Sequence, residues 1–220
     1  MITRVQVQKA VDRAETDFSR CLALLAAMKQ GKVQEHNKLS LTDFQPTLAG
    51  ALSRLGSIYR SLATEKEARI QAKGALTPKW FGRRMRFLSS QQEIIRRAIS
   101  VGKGIGDGFA WFFYQNDRDV LMEHLKEPEQ LLIPRGVGGF AELELVNNLK
   151  TAYGCFVLYH GITSILRLGD FSLVDIHNFK VRTVGEVKAG APVDGKLTVT
   201  MFFACDPATG VPANADRVVF

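Results

Sequence analysis

Cysteine is scarce. Cys21, Cys155 and Cys205 are odd in number and widely separated, which excludes both a disulfide framework and a Cys-x-x-Cys metal knuckle. All three are expected to be reduced and mostly buried. Long apolar runs are also missing: the longest, such as Gly108 to Tyr114, fall far short of the roughly 20 residues that a membrane-spanning helix needs. The N-terminus shows no signal-peptide pattern, so a cytoplasmic location is the default expectation. No Gly-Lys-Ser/Thr ending is present for a P-loop. Gly102, Gly104, Gly106 and Gly108 do alternate, but they follow a predicted helix, where a dinucleotide fingerprint would need a strand. That segment reads as a hinge or tight turn, and a nucleotide-responsive regulator built on it is the weakest functional reading. His160 and His177 have no partner at metal-ligand spacing and are expected to be structural.

What is present is enough apolar residue to fold without staples. With 46% hydrophobic and 23% charged residues, the 220-residue chain can bury one sizeable core or two small ones. Val7, Val11, Ala14, Phe18, Cys21, Leu25 and Met28 recur in steps of three and four, which places them on one stripe of a helix. Leu48, Leu52, Leu55, Tyr59 and Leu62 repeat the pattern. The polar stretch 31–43 separates the two runs, with Thr42 and Asp43 as candidate N-caps and Pro46 in a first helical turn. An antiparallel helical hairpin packed within the chain is the simple expectation; pairing of these stripes between copies, giving a homo-oligomer, is the other.

A third helix is marked by Thr77 as N-cap and Pro78 as first residue, and should run to about Val101. It carries Lys79, Arg83, Arg84, Arg86, Arg96 and Arg97 against the single carboxylate Glu93, most of the chain's excess of +7. These cations are candidates for binding nucleic acid through its phosphates; the alternative is a solvated helix face. Beyond the glycines, the aromatic run Phe109 to Tyr114 should pack the two halves together, with Asp107 capping it, and Asp117 to Leu125 forms a short helix.

The remainder reads as a smaller α/β unit, giving an α+β chain of two parts, a helical region 1–130 and a unit 131–220. After Pro134 and a glycine-rich stretch, a helix is expected from about Phe140 to Tyr153. On a helical projection Glu142 shares the stripe of Leu145, Val146 and Leu149, while Glu144 falls on the far side. A carboxylate on a buried face must pair, hydrogen-bond or hold a metal. Three strand-like runs follow, 156–168, 169–176 and 181–188, and suggest a meander; a fourth spans 196–204. In the third, Glu186 and Lys188 project from one face and Val187 from the other. Asp170 opens the second strand, close to where Glu186 could lie.

The order Glu142, then Gly169-Asp170, then Gly185-Glu186-Val187-Lys188 resembles the PD-(D/E)XK nuclease superfamily over about residues 138–189. Its pattern is an Asp and a Glu-x-Lys on adjacent strands, with an acidic residue from the preceding helix. The resemblance implies a restriction-endonuclease-like unit with a mixed sheet and a Mg²⁺-dependent endonuclease acting on DNA, Mn²⁺ being an alternative ion. Glu142, Asp170, Glu186 and Lys188 would be catalytic, and Asp170, Glu186 and the Val187 carbonyl oxygen would hold the metal. Mg²⁺ takes hard oxygen ligands, keeps several waters and uses one or two carboxylates, which suits this set. Asp175 is a rival for the place of Asp170. No clear helix follows Lys188, so an abbreviated or truncated core is expected. Nuclease modules joined to helical regions resemble phage-defence or mobile-element factors. The competing class is a catalytically inactive nucleic-acid-binding or scaffold protein in which Lys188 forms a buried ion pair.

Overall fold

The computed structural model describes residues 1–31, 41–134, 136–190, 198–204 and, for the backbone, 216–219. Its first half is helical and its second half carries an antiparallel sheet, an α+β chain as expected. Helix α1 (Arg4–Lys29) starts on a capping box: the Thr3 hydroxyl accepts from the Gln6 amide, and the Gln6 side chain accepts from the Thr3 amide. Val7, Ala14, Phe18 and Cys21 of the predicted stripe are buried, and α1 packs on both α2 (Leu41–Gln71) and α3 (Pro78–Tyr114). The stripe is thus occupied within the chain. Pro46 lies further into α2 than expected, as its sixth residue, because the helix begins at Leu41.

The third helix does not stop near Val101. It continues through all four alternating glycines to Tyr114, so the hinge expected there is absent. Packing supplies the reason. A Cβ on Gly102 would lie 2.6 Å from Phe18 Cζ and 2.8 Å from Leu52 Cδ2, and one on Gly106 would lie 2.0 Å from the Ile162 carbonyl oxygen. Bare backbone at these two positions lets α1, α2 and the 160–162 segment approach α3 closely, which offsets the roughly 1 kcal/mol that each helical glycine costs relative to alanine. Beyond α3 come α4 (Arg118–His124) and α5 (Gly136–Asn148).

The strands β1 (Thr151–Ala152), β2 (Cys155–Tyr159), β3 (Phe171–Asp175), β4 (Lys180–Ala189), β5 (Thr198–Phe203) and β6 (Asp216–Val219) lie side by side in chain order, every pairing antiparallel. The expected mixed sheet is therefore replaced by a pure meander. Only residues 190–197 separate β4 from β5, fewer than the roughly a dozen that a parallel crossover takes. One face of the sheet, through Phe156, Leu158 and Val174, joins the core of α1, α2 and α3. The other buries Val157, Phe171, Leu173, Val187 and Met201 against Ala141 and Leu145 of α5. The larger core runs without interruption from the helical region into the sheet. Gln45 of α2 ties the two further: its amide donates to the Val157 carbonyl and accepts from the Tyr159 amide, both at 2.7 Å.

Candidate functional site

Asp170 immediately precedes β3, and the register Phe171 to Gly185 sets it across from Glu186 of β4. Its conformation is fixed by three hydrogen bonds. The Asp170 amide donates to Gly185 O at 2.8 Å, the His160 amide donates to Asp170 O at 2.9 Å, and the Val187 amide donates to Asp170 Oδ2 at 2.7 Å. The turn needs Gly169 on two counts: its φ is +67°, and a Cβ there would sit 2.6 Å from Gly185 O. Since a strand residue's N–H and C=O project to the same side, the Val187 carbonyl faces the same side of β4 as the amide that binds Asp170.

Glu186 and Lys188 share one face of β4 and pair at 2.9 Å, while Val187 is buried on the other face, as the alternation predicts. That pair is not buried: the two side chains are 55% and 65% exposed, so it contributes roughly 0–1 kcal/mol and stays free to rearrange. Glu142 of α5 is only 8% exposed and accepts a 2.5 Å hydrogen bond from the Tyr159 hydroxyl. Glu144 is half-buried and binds Asn148 on its own helix, clear of the site. Asp175, the rival carboxylate, is held by Arg182 at 2.7 Å.

Burial pushes the Glu142 carboxyl up to about 7, with the Asp170 charge adding to the rise and the Tyr159 hydroxyl opposing it. Asp170 is also raised, chiefly by burial and further by Glu186, against the Val187 amide and Lys188. Asp170 thus acts on Glu142 and Glu186 acts on Asp170, but Glu186 projects from the face of β4 opposite to that of Val187, which packs on α5, and does not line the cavity that Glu142 and Asp170 share. Glu142 and Asp170 line a single cavity of about 380 Å³ with Lys103, His160, Thr163 and Arg167. Among the described residues no group of three or more His, Cys, Asp or Glu side chains is arranged to hold a metal. A site built on Asp170 Oδ1, Glu186 and the Val187 carbonyl stays within the one or two carboxylates that Mg²⁺ typically uses, and in that sense the residues fit the ion.

The wall of this cavity departs from the sequence expectation. The run 156–168, which reads as one strand, is β only to Tyr159 and then turns through a 3₁₀ segment, His160–Ile162, and an irregular stretch. Two α3 side chains one turn apart hold it. Asp107 accepts from the Ser164 amide at 2.6 Å, the Ser164 hydroxyl at 2.5 Å and the Ile165 amide at 3.1 Å, so it organises this turn and does not cap the aromatic run. Lys103 donates to the carbonyls of Gln130 and Thr163.

Behind the cavity lies a buried chain of hydrogen bonds whose direction is fixed by its ends. The Leu168 amide donates to His124 Nδ1 at 3.0 Å, so His124 carries its proton on Nε2 and donates it to the Tyr114 hydroxyl at 3.0 Å. Tyr114 donates to Ser172 Oγ at 2.6 Å, and Ser172 to His160 Nε2 at 2.6 Å. His160 Nδ1 then donates to Gly169 O at 3.1 Å. Burial lowers His124 to about 4 and His160 to about 3, keeping both rings neutral as this order requires. His160 is held through both ring nitrogens, and the chain's two ends fasten residues 168 and 169 beside Asp170. Only the aromatic and small polar character of these scattered positions hints at it in the sequence.

The basic residues of α3 do not act as one set. Arg84 is 13% exposed and committed to Glu65 at 2.6 and 2.9 Å and to the Ile2 carbonyl at 2.8 Å, which removes it from the candidate phosphate contacts. Arg96 and Arg97 both bind Glu93 at 2.8 Å. Lys79, Arg83 and Arg86 are exposed and spaced by four and three along one helix face. At 1.5 Å per residue, Arg86 lies about 25 Å along α3 from Lys103. Family models, curated proteins and solved structures contain no match to this chain. No helix among the described residues is long and apolar enough to cross a membrane.

Proposed function

We propose that the chain is a divalent-metal-dependent nuclease that hydrolyses phosphodiester bonds in DNA. The observation that carries this reading is the register that sets Asp170 across from Glu186, with Lys188 beside Glu186 and Glu142 sharing a cavity with Asp170. Asp170, Glu186 and the Val187 carbonyl would hold Mg²⁺ or Mn²⁺, and the bound ion would polarise a phosphate oxygen and lower the pKa of a water. Asp170 is oriented for this by the Val187 amide, which fixes one of its carboxylate oxygens, Oδ2. Lys188, exposed and held among the described residues by Glu186, can turn to the phosphate and offset the charge that develops on it. Glu142, half protonated near neutral pH, can accept or return a proton beside Asp170. Lys79, Arg83 and Arg86 provide a phosphate-binding face remote from the cut. A role in phage defence or mobile-element biology belongs to the same proposal.

A second reading is supported by the way Asp170 and Lys188 find partners within the protein: the sheet end is a structural feature of a nucleic-acid-binding or scaffold protein, with assembly between copies as its further step. Cleavage of DNA by purified protein with Mg²⁺ separates the two. Asp170→Ala, Glu186→Ala and Lys188→Ala are each expected to abolish cleavage and leave thermal stability largely intact. Undiminished cleavage by Asp170→Ala, or loss of the fold in all three variants, would favour the structural reading.

A further inference from the structure

Lys103 is 4% exposed and forms no ion pair among the described residues. Its ammonium has three N–H bonds, of which two are used, on the Gln130 carbonyl and at 2.9 Å on the Thr163 carbonyl. Both acceptors line the 380 Å³ cavity, so the ammonium sits at its wall with one N–H left over. A cation this deep is hydrogen-bonded only to neutral carbonyls and has no carboxylate in contact among the described residues. Glu129 and Asp107 act on it only through space, opposing the effect of burial. Asp107 is engaged by Ser164 and Ile165, and Glu127 and Glu129 stand solvated on the rim. Burial accordingly lowers the Lys103 pKa, and an anion bound in the cavity would restore it.

Arg167 lines the same cavity and uses Nε on Ser164 O at 2.7 Å and Nη1 on Glu127 O at 3.1 Å, which leaves Nη2 available among the described residues. The cavity's volume is at the small end of the roughly 300–1,000 Å³ of small-ligand clefts, too small for a duplex and suited to about one nucleotide. A phosphate monoester carries about −1.5 to −2 charges at neutral pH, a better match to a buried ammonium than the single charge of an internal diester. We propose that this cavity is a subsite for the terminal phosphate of a nucleic-acid strand, with Lys103 as its buried anchor and Arg167 as its rim contact. The strand then enters by its end, and its first nucleotide lies between Lys103 and Asp170. This assignment rests on the nuclease reading for the identity of the strand.

Three labelled oligonucleotides of one sequence test it, phosphorylated at the 5′ end, at the 3′ end or at neither, bound to the full Asp170→Asn chain in Mg²⁺. One phosphorylated strand is expected to bind at least about tenfold more tightly than the unphosphorylated one. In the same background Lys103→Met and Arg167→Gln should each abolish that preference, while Lys103→Arg keeps part of it. Arg167 is only half-buried, so its variant carries the test if Lys103→Met fails to fold. Equal binding of all three strands, or a preference that survives Lys103→Met or Arg167→Gln, overturns the subsite. Cleavage by the Asp170→Asn chain counts against the nuclease reading alone, and the phosphate preference is then read in EDTA.

Discussion

Glu142→Gln replaces a carboxylate that, alone among the described residues, is nearly completely buried with a neutral side chain that can still accept from the Tyr159 hydroxyl. In the folded protein this carboxyl is raised from 4.5 to about 7. Folding therefore favours its protonated form, and the folded state binds more protons than the unfolded state between those two values. Stability must fall as pH rises from about 4.5 to about 7, by roughly 1.4 kcal/mol per pH unit within that window and about 3 kcal/mol in total. Below the window both states are protonated and the glutamine variant should match the parent closely. Above it the variant should be the more stable by about 3 kcal/mol, or about 6–12 °C in Tm for a chain of this size. Urea or thermal unfolding of the two proteins at pH 4 and pH 8 reads the difference. Saturating Mg²⁺ should narrow the gap at pH 8, because a cation beside Asp170 stabilises the ionised parent. Parallel stability curves for parent and variant across this range would refute the buried, raised carboxyl.

The glycines of α3 provide an internal contrast in thermal unfolding. A methyl group added at Gly104 would meet no heavy atom within 4 Å, so Gly104→Ala should stabilise by up to about 1 kcal/mol, whereas Gly106→Ala drives a methyl into the Ile162 carbonyl and should cost about 1–3 kcal/mol. Equal effects would contradict the close-packing account. For the basic helix, DNA affinity should weaken steeply with salt, and replacing Lys79, Arg83 and Arg86 with glutamine should flatten that dependence, each lost phosphate contact reducing the slope by about 0.9. Arg84→Gln should instead lower stability, by leaving Glu65, in a half-dry site, with the Ile2 amide at 2.8 Å and the longer Arg69 contact at 3.7 Å, and should leave the salt slope unchanged.

Much of the site was legible because it depends on periodicity. Projection of α5 at 100° per residue separates Glu142 from Glu144, and strand alternation separates Val187 from Glu186 and Lys188; the structure has both separations. Adjacent strands in chain order then bring Asp170 alongside Glu186. Illegible features depend on neighbours far away in the chain. A glycine run looks the same whether it bends a helix or lets Phe18 and Ile162 approach it, and only the tertiary contacts distinguish the two. Arg84 cannot be told from Arg83 until Glu65 and the Ile2 carbonyl are brought beside it. The break in the run after Tyr159 follows from Lys103 and Asp107, more than fifty residues earlier, and local propensity for strand gave no warning of it.

The proposed divalent-cation site of Asp170, Glu186 and the Val187 carbonyl is tested most directly by a crystal soaked in Mn²⁺ and measured at the manganese absorption edge. One anomalous peak is expected between the Asp170 and Glu186 carboxylates, with the Glu186 to Lys188 contact opened, and loss of that peak in Asp170→Asn crystals. Soaked crystals with no peak there, and with Glu186 still bonded to Lys188, would contradict it.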